Sequence, residues 1–372
     1  MKQRPRVVYI ISRIDKSLGF EWIARGLKDD YHLTFVLLNP AGSHLEDFLT
    51  ENEVDVKRIL YRGKKDFVQA LFKLIYFLIS ERPAVVHAHL WEAQLLGLPA
   101  AWLTRIRKRI YTRHASNFHH VYFPRSVWMD RLCNWLATDI VSISQATDRV
   151  LLDLESVPRN KIVKIPHGFE WEAFTGVSAE RIQHIRSKWA ISQSNAVIGV
   201  IARHIEWKGV AFIVEGFKEF LKDYPGAILI LANASGPEHM KIRSMLEGIP
   251  PNQFVIIPFE EDIGGLYQTF DFYVHVPVDS LSEAFGQTYI EALAAGIPSV
   301  FTLSGVAAEF IVDQKNALVV EFKNAHAIYR ALDSLYKNKE LRQVLAQNGR
   351  RDVISRFGIS QMLFSLKQLY DR

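Results

Sequence analysis

Glu283 and Glu291 are the residues of this chain whose type and spacing best suit chemistry. They frame Glu283-Ala284-Phe285-Gly286-Gln287-Thr288-Tyr289-Ile290-Glu291, which runs on as Ala292-Leu293-Ala294-Ala295-Gly296-Ile297-Pro298. An apolar run of strand length, 272–276, comes before it. Ile290, Leu293 and Ala294 suit the buried side of a helix, and Gly296 with Pro298 stops that helix. Glu283 is therefore expected on the loop entering the helix and Glu291 on the helix itself. Backbone N–H groups at a helix start, here from Phe285 through Gly286 and Gln287 to Thr288, favour phosphate. Two carboxylates beside an anion seat suit a ligand with hydroxyls at one end and phosphates in the middle. A nucleotide sugar is such a ligand. Two surface carboxylates on an ordinary helix are the plainer reading of the spacing alone.

Arg203 and Lys208 come next, in Val200-Ile201-Ala202-Arg203-His204-Ile205-Glu206-Trp207-Lys208-Gly209 at the end of an apolar run. Arginine suits bidentate phosphate contact and lysine acts as a point charge. Together they suit a diphosphate and would stabilise it as it leaves; taken alone they read better as solvated surface cations. His114 ends a strand in Thr112-Arg113-His114, where a histidine is more often structural than catalytic. His119 and His120 lie close by, but no carboxylate or cysteine stands at ligand spacing, so a non-metal role is preferred. No D-x-D triplet occurs anywhere in the chain.

The Glu283 stretch resembles the E-x7-E signature of the retaining glycosyltransferases of family GT4. That signature usually reads E-G-F-G followed by E-A-x-A-x-G-x-P; here it is E-A-F-G and E-A-L-A-A-G-I-P. Arg203 and Lys208 are similar to the family's G-R-x4-K-G, with Ala202 in place of the first glycine. Thr112-Arg113-His114 is similar to a T-x-H strand end, and 316–320 to an N-G-x-L-V segment preceded by Gly305 and Glu309. The resemblance implies a nucleoside-diphosphate sugar as donor and transfer with retention of configuration; a UDP-sugar is favoured over a GDP-sugar, though the residues do not identify the base. It implies ribose hydroxyls on Glu291, sugar hydroxyls on Glu283, and the sugar or phosphate on the backbone of Phe285, Gly286, Gln287 and Thr288. It further implies donor sugar against His114, diphosphate on Arg203 and Lys208, and the base near 257–261. No protein nucleophile, cofactor or divalent metal is expected.

Two features depart from the family pattern. Ser17-Leu18-Gly19 carries one glycine where a Gly-Gly pair is common, leaving Gly19 to meet the donor. Pro166-His167-Gly168 stands for P-N-G, so His167 reads either as a site residue or as part of a plain turn.

The elements that must position these residues follow from periodicity. Apolar runs at 7–11, 33–38, 84–89, 109–112, 140–144 and 162–165 read as buried parallel strands. They alternate with helices such as 67–80 and 92–104. After a mixed, polar pause at 171–194 a second series starts at 196–201 and continues through 227–231, 254–257, 272–276, 299–301 and 317–320. The chain closes with helices at 325–336, 339–357 and 361–370. Alternation of this kind indicates α/β architecture with doubly wound parallel sheets. The resemblance implies the GT-B fold: two Rossmann-like domains facing a central cleft. The expected division is 1–168 for the acceptor, 169–357 for the nucleotide sugar, and 358–372 as a helix crossing back to the first domain.

The 372 residues are 49% hydrophobic and 23% charged, ample for a large core, with a formal net charge of +5. One cysteine, Cys133, excludes a disulfide framework and fits a reducing compartment. The start, Met1-Lys2-Gln3-Arg4-Pro5-Arg6, is basic, but the run 7–11 behind it is too short for a signal-peptide core. The stretch 67–79, interrupted by Lys73, falls short of the ~20 apolar residues of a membrane span. A cytoplasmic protein is expected. Basic residues sit beside aromatics in the first half: Arg105, Arg107, Lys108, Arg109 and Arg113; Arg125, Trp128, Arg131 and Trp135 near Phe123. Lys64, Lys65 and Lys73 lie among Phe67, Leu71, Leu74, Ile75 and Leu78. Two readings stand: contact with anionic lipid on the inner membrane face, or an amphipathic helix with a solvated basic face. The first implies a lipid-linked or cell-envelope glycan as acceptor. A sugar-nucleotide epimerase of the same architecture and a basic nucleic-acid-binding protein are the competing classes. No nucleic-acid-binding motif is present, and nucleic acid is not an expected partner.

Overall fold

A computed structural model describes residues 4–192 and 196–372. Residues 1–3 of the basic start and the last residues of the polar pause, 193–194, lie outside the described residues. The chain divides into two compact units, Met1–Phe169 with Ile359–Arg372, and Glu170–Gly358.

In the first unit the described residues form a seven-stranded parallel sheet. Its strands are β1 (Arg6–Ser12), β2 (His32–Asn39), β3 (Asp55–Leu60), β4 (Val85–His89), β5 (Lys108–Arg113), β6 (Asp139–Ser142) and β7 (Ile162–Lys164). They lie in the order β3-β2-β1-β4-β5-β6-β7. The helices are α1 (Leu18–Leu27), α2 (His44–Glu51), α3 (Phe67–Glu81), α4 (Trp91–Leu103), α5 (Phe118–Tyr122), α6 (Val127–Leu136) and α7 (Gln145–Arg149). Central strands read as unbroken apolar runs because both faces are covered. Val8 and Ile10 of β1 face Ala70, Leu74 and Leu78 of α3 and Leu96 of α4. Val7, Tyr9 and Ile11 face Ile23 and Leu27 of α1 and Leu45 of α2. β3 went unrecognised as a strand because it is a sheet edge: of its six residues only Ile59 is buried.

The second unit repeats the plan. It holds α8 (Ala179–Lys188), β8 (Val197–Ile201), α9 (Val210–Asp223), β9 (Ile228–Ala232), α10 (His239–Met245) and β10 (Phe254–Ile257). Next come α11 (Ile263–Tyr267), β11 (Phe272–His275), α12 (Gln287–Ala294), β12 (Ser299–Phe301), α13 (Ala307–Phe310) and β13 (Leu318–Val319), then α14 (Ala325–Lys337) and α15 (Lys339–Arg356). The described strands pair in parallel in the order β10-β9-β8-β11-β12-β13. α8 falls within the polar pause. It buries only Ile185, too little for an apolar period to show.

The last helix, α16 (Ile359–Asp371), packs into the core of the first unit through Met362, Leu366, Leu369 and Tyr370. Lys108 Nζ donates to the Leu369 carbonyl at 2.7 Å, close to the end of α16, and Tyr31 Oη donates to Asp371 Oδ1 at 2.8 Å. No helix among the described residues is long and apolar enough to cross a membrane.

Candidate active site

In an open α/β sheet a ligand crevice forms beyond the carboxyl ends of the strands where the strand order reverses. In the second unit that reversal falls between β8 and β11. Lys208 follows β8 on a helical turn, Glu206–Lys208, and Glu283 lies on the loop after β11. Gly209 has φ +71, and a Cβ there would sit 2.0 Å from the Val276 carbonyl oxygen. A side chain is thus excluded on two counts, and the close approach brings Lys208 against the end of β11.

Lys208 Nζ donates to Glu283 Oε1 at 2.5 Å. His275, the last residue of β11, hydrogen-bonds the same oxygen through Nε2 at 2.9 Å. A carboxylate only accepts, so Nε2 carries the proton and the buried Nδ1, which has no partner among the described residues, is the bare nitrogen of a neutral ring. Burial lowers the affinity of His275 for a second proton, against the pull of Glu283. Burial alone would raise the Glu283 pKa, but the Lys208 charge and the His275 bond outweigh it and hold the group at about 2. Its backbone N–H is fixed by Ser304 Oγ at 2.9 Å. Gly305 packs so closely that a Cβ would lie 2.6 Å from the Phe285 oxygen and 2.9 Å from Glu283 Cβ. His275 was missed in the sequence because it ends an apolar strand. The signal available was a histidine eight residues before Glu283 on the strand feeding its loop.

The remaining expected residues of this unit lie after β8, after β10, on the loop after β11 and on α12. Gly286 takes a left-handed conformation and begins α12. Phe285 is buried edge-on against Phe357, so its side chain belongs to the core and only its backbone could meet a ligand. Gln287 and Thr288 open the helix, whose first amides have no partner within it. Arg203 is exposed and makes no ion pair among the described residues. In the segment 257–261, Glu260 is bound by Lys188 Nζ at 2.8 Å and Trp189 Nε1 at 2.6 Å, whereas Phe259 is exposed.

Glu291, one turn into α12, accepts a hydrogen bond from Tyr267 Oη at 2.9 Å. Burial raises its pKa to about 7, against the Tyr267 bond. Because the folded value lies above the unfolded one, ionisation costs the folded state. That cost is absent below about pH 4.5, grows as pH rises towards 7, and is constant above it. Glu291→Gln is expected to stabilise the ligand-free protein at pH 8, by on the order of 2 kcal/mol, and to change nothing at pH 4. Melting curves of both proteins across this range check it; an equal offset at both ends contradicts it.

In the first unit His114 follows β5. It shares a hydrogen bond with His89 Nδ1 through its own Nε2 at 3.0 Å and stacks on His167, ring centroids 5.5 Å apart. Burial pushes His114 well below its usual range, and His167 to about 4. Behind them His87 bonds Tyr370 Oη at 2.7 Å and Thr112 Oγ1 at 2.8 Å. Gly19 lies in the first turn of α1, capped by Ser17, rather than in a positive-φ turn. The left-handed residue after β1 is Arg13.

Three cations expected on the surface point inward. Lys108 binds α16 as described. Arg109 donates to the carbonyls of Leu136 at 2.8 Å and Ile106 at 2.7 Å. Arg113 is buried and binds Asp130 at 2.9 Å and Glu155 at 2.7 Å. On a central strand a long cation is tolerated only where such partners await it. His119 and His120 join this network, on Asp130 and Glu155 respectively.

Residues 181–352 match the family described as glycosyl transferases group 1, and residues 22–172 match glycosyltransferase family 4. The chain is a GT4 glycosyltransferase. Its fold is GT-B: HepE of Anabaena, solved in complex with UDP-glucose, superposes with TM-score 0.85 at 17% identity over 98% of this chain and 100% of that one. Among curated relatives of the glycosyltransferase, CapM of Staphylococcus aureus, a capsular polysaccharide biosynthesis glycosyltransferase, is 24% identical over 82% of this chain and 80% of its own. The α-monoglucosyldiacylglycerol synthase of Acholeplasma laidlawii is 26% identical over 71% and 69%.

Proposed function

We propose that this glycosyltransferase moves a hexosyl group from a UDP-sugar, with retention of anomeric configuration, to a lipid-linked or cell-envelope glycan. The observation that carries the reading is the Lys208–Glu283–His275 cluster at the strand-order reversal of the second unit. Lys208 is paired with Glu283. A bound diphosphate offers it a second anionic partner, and Arg203 stands exposed on the same loop. Glu283, kept ionised by its neighbours, would accept sugar hydroxyls and Glu291 the ribose hydroxyls. His114 would contact the donor sugar. In the transfer the bond from the anomeric carbon to the phosphate oxygen breaks and UDP leaves with the electron pair. The acceptor hydroxyl attacks that carbon from the same face, and its proton passes to the departing phosphate oxygen. Arg203 and Lys208 stabilise the charge that develops there, and no divalent metal is part of the proposal. CapM and the glucolipid synthase are the relatives whose names support the acceptor class.

A thermal-shift series with UDP, GDP, ADP and their sugars tests the donor, since a ligand of the native state alone raises its melting temperature. The uridine compounds are expected to give the largest shift, and a larger guanosine shift overturns the choice of base. Proton NMR of the product, with an α-linked donor, should show an α-linkage; a β-linkage overturns retention. Donor converted without any acceptor would instead indicate epimerisation.

A further inference from the structure

More than half of the large apolar side chains exposed among the described residues fall between Val68 and Trp135 of the first unit. Their placement is ordered. On α3 the buried stripe Ala70, Leu74, Phe77 and Leu78 faces the sheet, and a second stripe, Val68, Phe72, Tyr76 and Ile79, faces away from it. On α6, Cys133 and Leu136 face inward while Trp128, Leu132 and Trp135 are exposed. α4 lies between these two helices and ends in exposed Trp102 and Leu103, with Trp102 against Trp135 at 6.0 Å between ring centroids. Tyr122 and Phe123, leading into α6, extend the patch. Phe72, Tyr76, Trp128 and Trp135 each expose between 62% and 75% of their surface. The apolar residues that the sequence pairs with Lys73, such as Leu74 and Leu78, are inside; the outward stripe of α3 is a separate one.

The charges on this face have one sign. Along 64–80, 102–107 and 118–136 every exposed charged residue is Lys or Arg: Lys64, Lys65 and Lys73, then Arg105 and Arg107, then Arg125 and Arg131. The carboxylates in these segments are withdrawn, Asp66 onto Arg62 and Asp130 onto Arg113. A contiguous apolar patch of this kind marks an interaction surface. A second copy fits poorly, because a two-fold dimer sets each patch against itself and here opposes cation to cation. Tryptophan and tyrosine among lysine and arginine is the composition of a membrane–water interface.

We infer that the outward face of α3, the end of α4 and α5–α6 docks on an anionic lipid bilayer. This deepens the proposed function by placing the enzyme where a lipid-linked acceptor resides. The test is flotation with vesicles of phosphatidylcholine alone and of equimolar phosphatidylcholine and phosphatidylglycerol, at low and high salt. The wild-type protein should float with the anionic vesicles and only weakly with the neutral ones. The variant Phe72→Ser/Tyr76→Ser/Trp128→Ser/Trp135→Ser should lose at least tenfold in bound fraction at low salt. Lys64→Gln/Lys65→Gln/Arg125→Gln/Arg131→Gln should lose the preference for anionic lipid. Unchanged circular dichroism and an unchanged thermal shift with UDP-glucose separate lost docking from lost folding or lost donor binding. Absence of wild-type flotation at low salt overturns the inference, as does flotation indifferent to both sets of changes. Sedimentation showing a dimer that the serine variant abolishes, without vesicle binding, would assign the face to a second copy instead.

Discussion

Glu283→Gln should lower turnover by about 10²–10³-fold while the protein stays folded. The amide keeps the size of the carboxyl group but removes the charge that His275 and Lys208 both address. It also cannot accept at both positions as a carboxylate does, so sugar hydroxyls lose a strong acceptor. Lys208→Met should reach a comparable loss by another route: the departing diphosphate lacks its nearest ammonium, and Glu283 stays buried with a neutral histidine as its remaining partner. That second variant should also melt at a lower temperature, because it strips the cation from a buried carboxylate. Steady-state rates with a UDP-sugar, read beside melting curves, check both. Near-wild-type transfer by the two variants would remove this cluster from the reaction.

The other large effect concerns stability. Arg113→Met should destabilise the first unit by about 3–5 kcal/mol. The guanidinium spends its donors on Asp130, Glu155 and the carbonyls of Ala115 and Ser116, and both carboxylates are out of water. Removing it strands two carboxylates that His119, His120 and Asn134 also depend on. The triple variant Arg113→Met/Asp130→Asn/Glu155→Gln should recover part of the loss, because it removes the uncompensated charges along with the cation. Denaturant titration of the single and triple variants reads this directly. A single variant as stable as the wild type would mean the network is wetter than its burial indicates. Arg113 also holds the two residues after His114, so the single variant should disturb that histidine as well.

These two cases mark how far the sequence could be read. Glu283, Glu291 and the start of α12 were legible because a short local motif fixes them: loop, helix start and helix stop follow within sixteen residues. The buried strands were legible because each is a continuous apolar run. β3 and α8 were not, because each buries one side chain firmly and shows little period. Arg113, Arg109 and Lys108 were misread for a different reason. Charge is visible in a sequence, but the carboxylates and carbonyls that draw it inward come from segments up to 262 residues away. His275 was hidden in the same way: its meaning depends on a carboxylate that only the turn after β11 brings back. The exposed aromatics of α3 were obscured because the helix carries two apolar stripes, and the sequence alone does not say which of them meets the sheet.

The position of α16 has a consequence for how the molecule comes into being. Its Tyr370 closes a chain of contacts through Tyr9 and His87 to Thr112, so early strands are completed by a helix that follows the whole of the second unit. On the ribosome the opening sheet therefore waits, partly unsealed, until α16 has emerged, whereas residues 170–358 are all available before it. The unit written second is the one that can mature first.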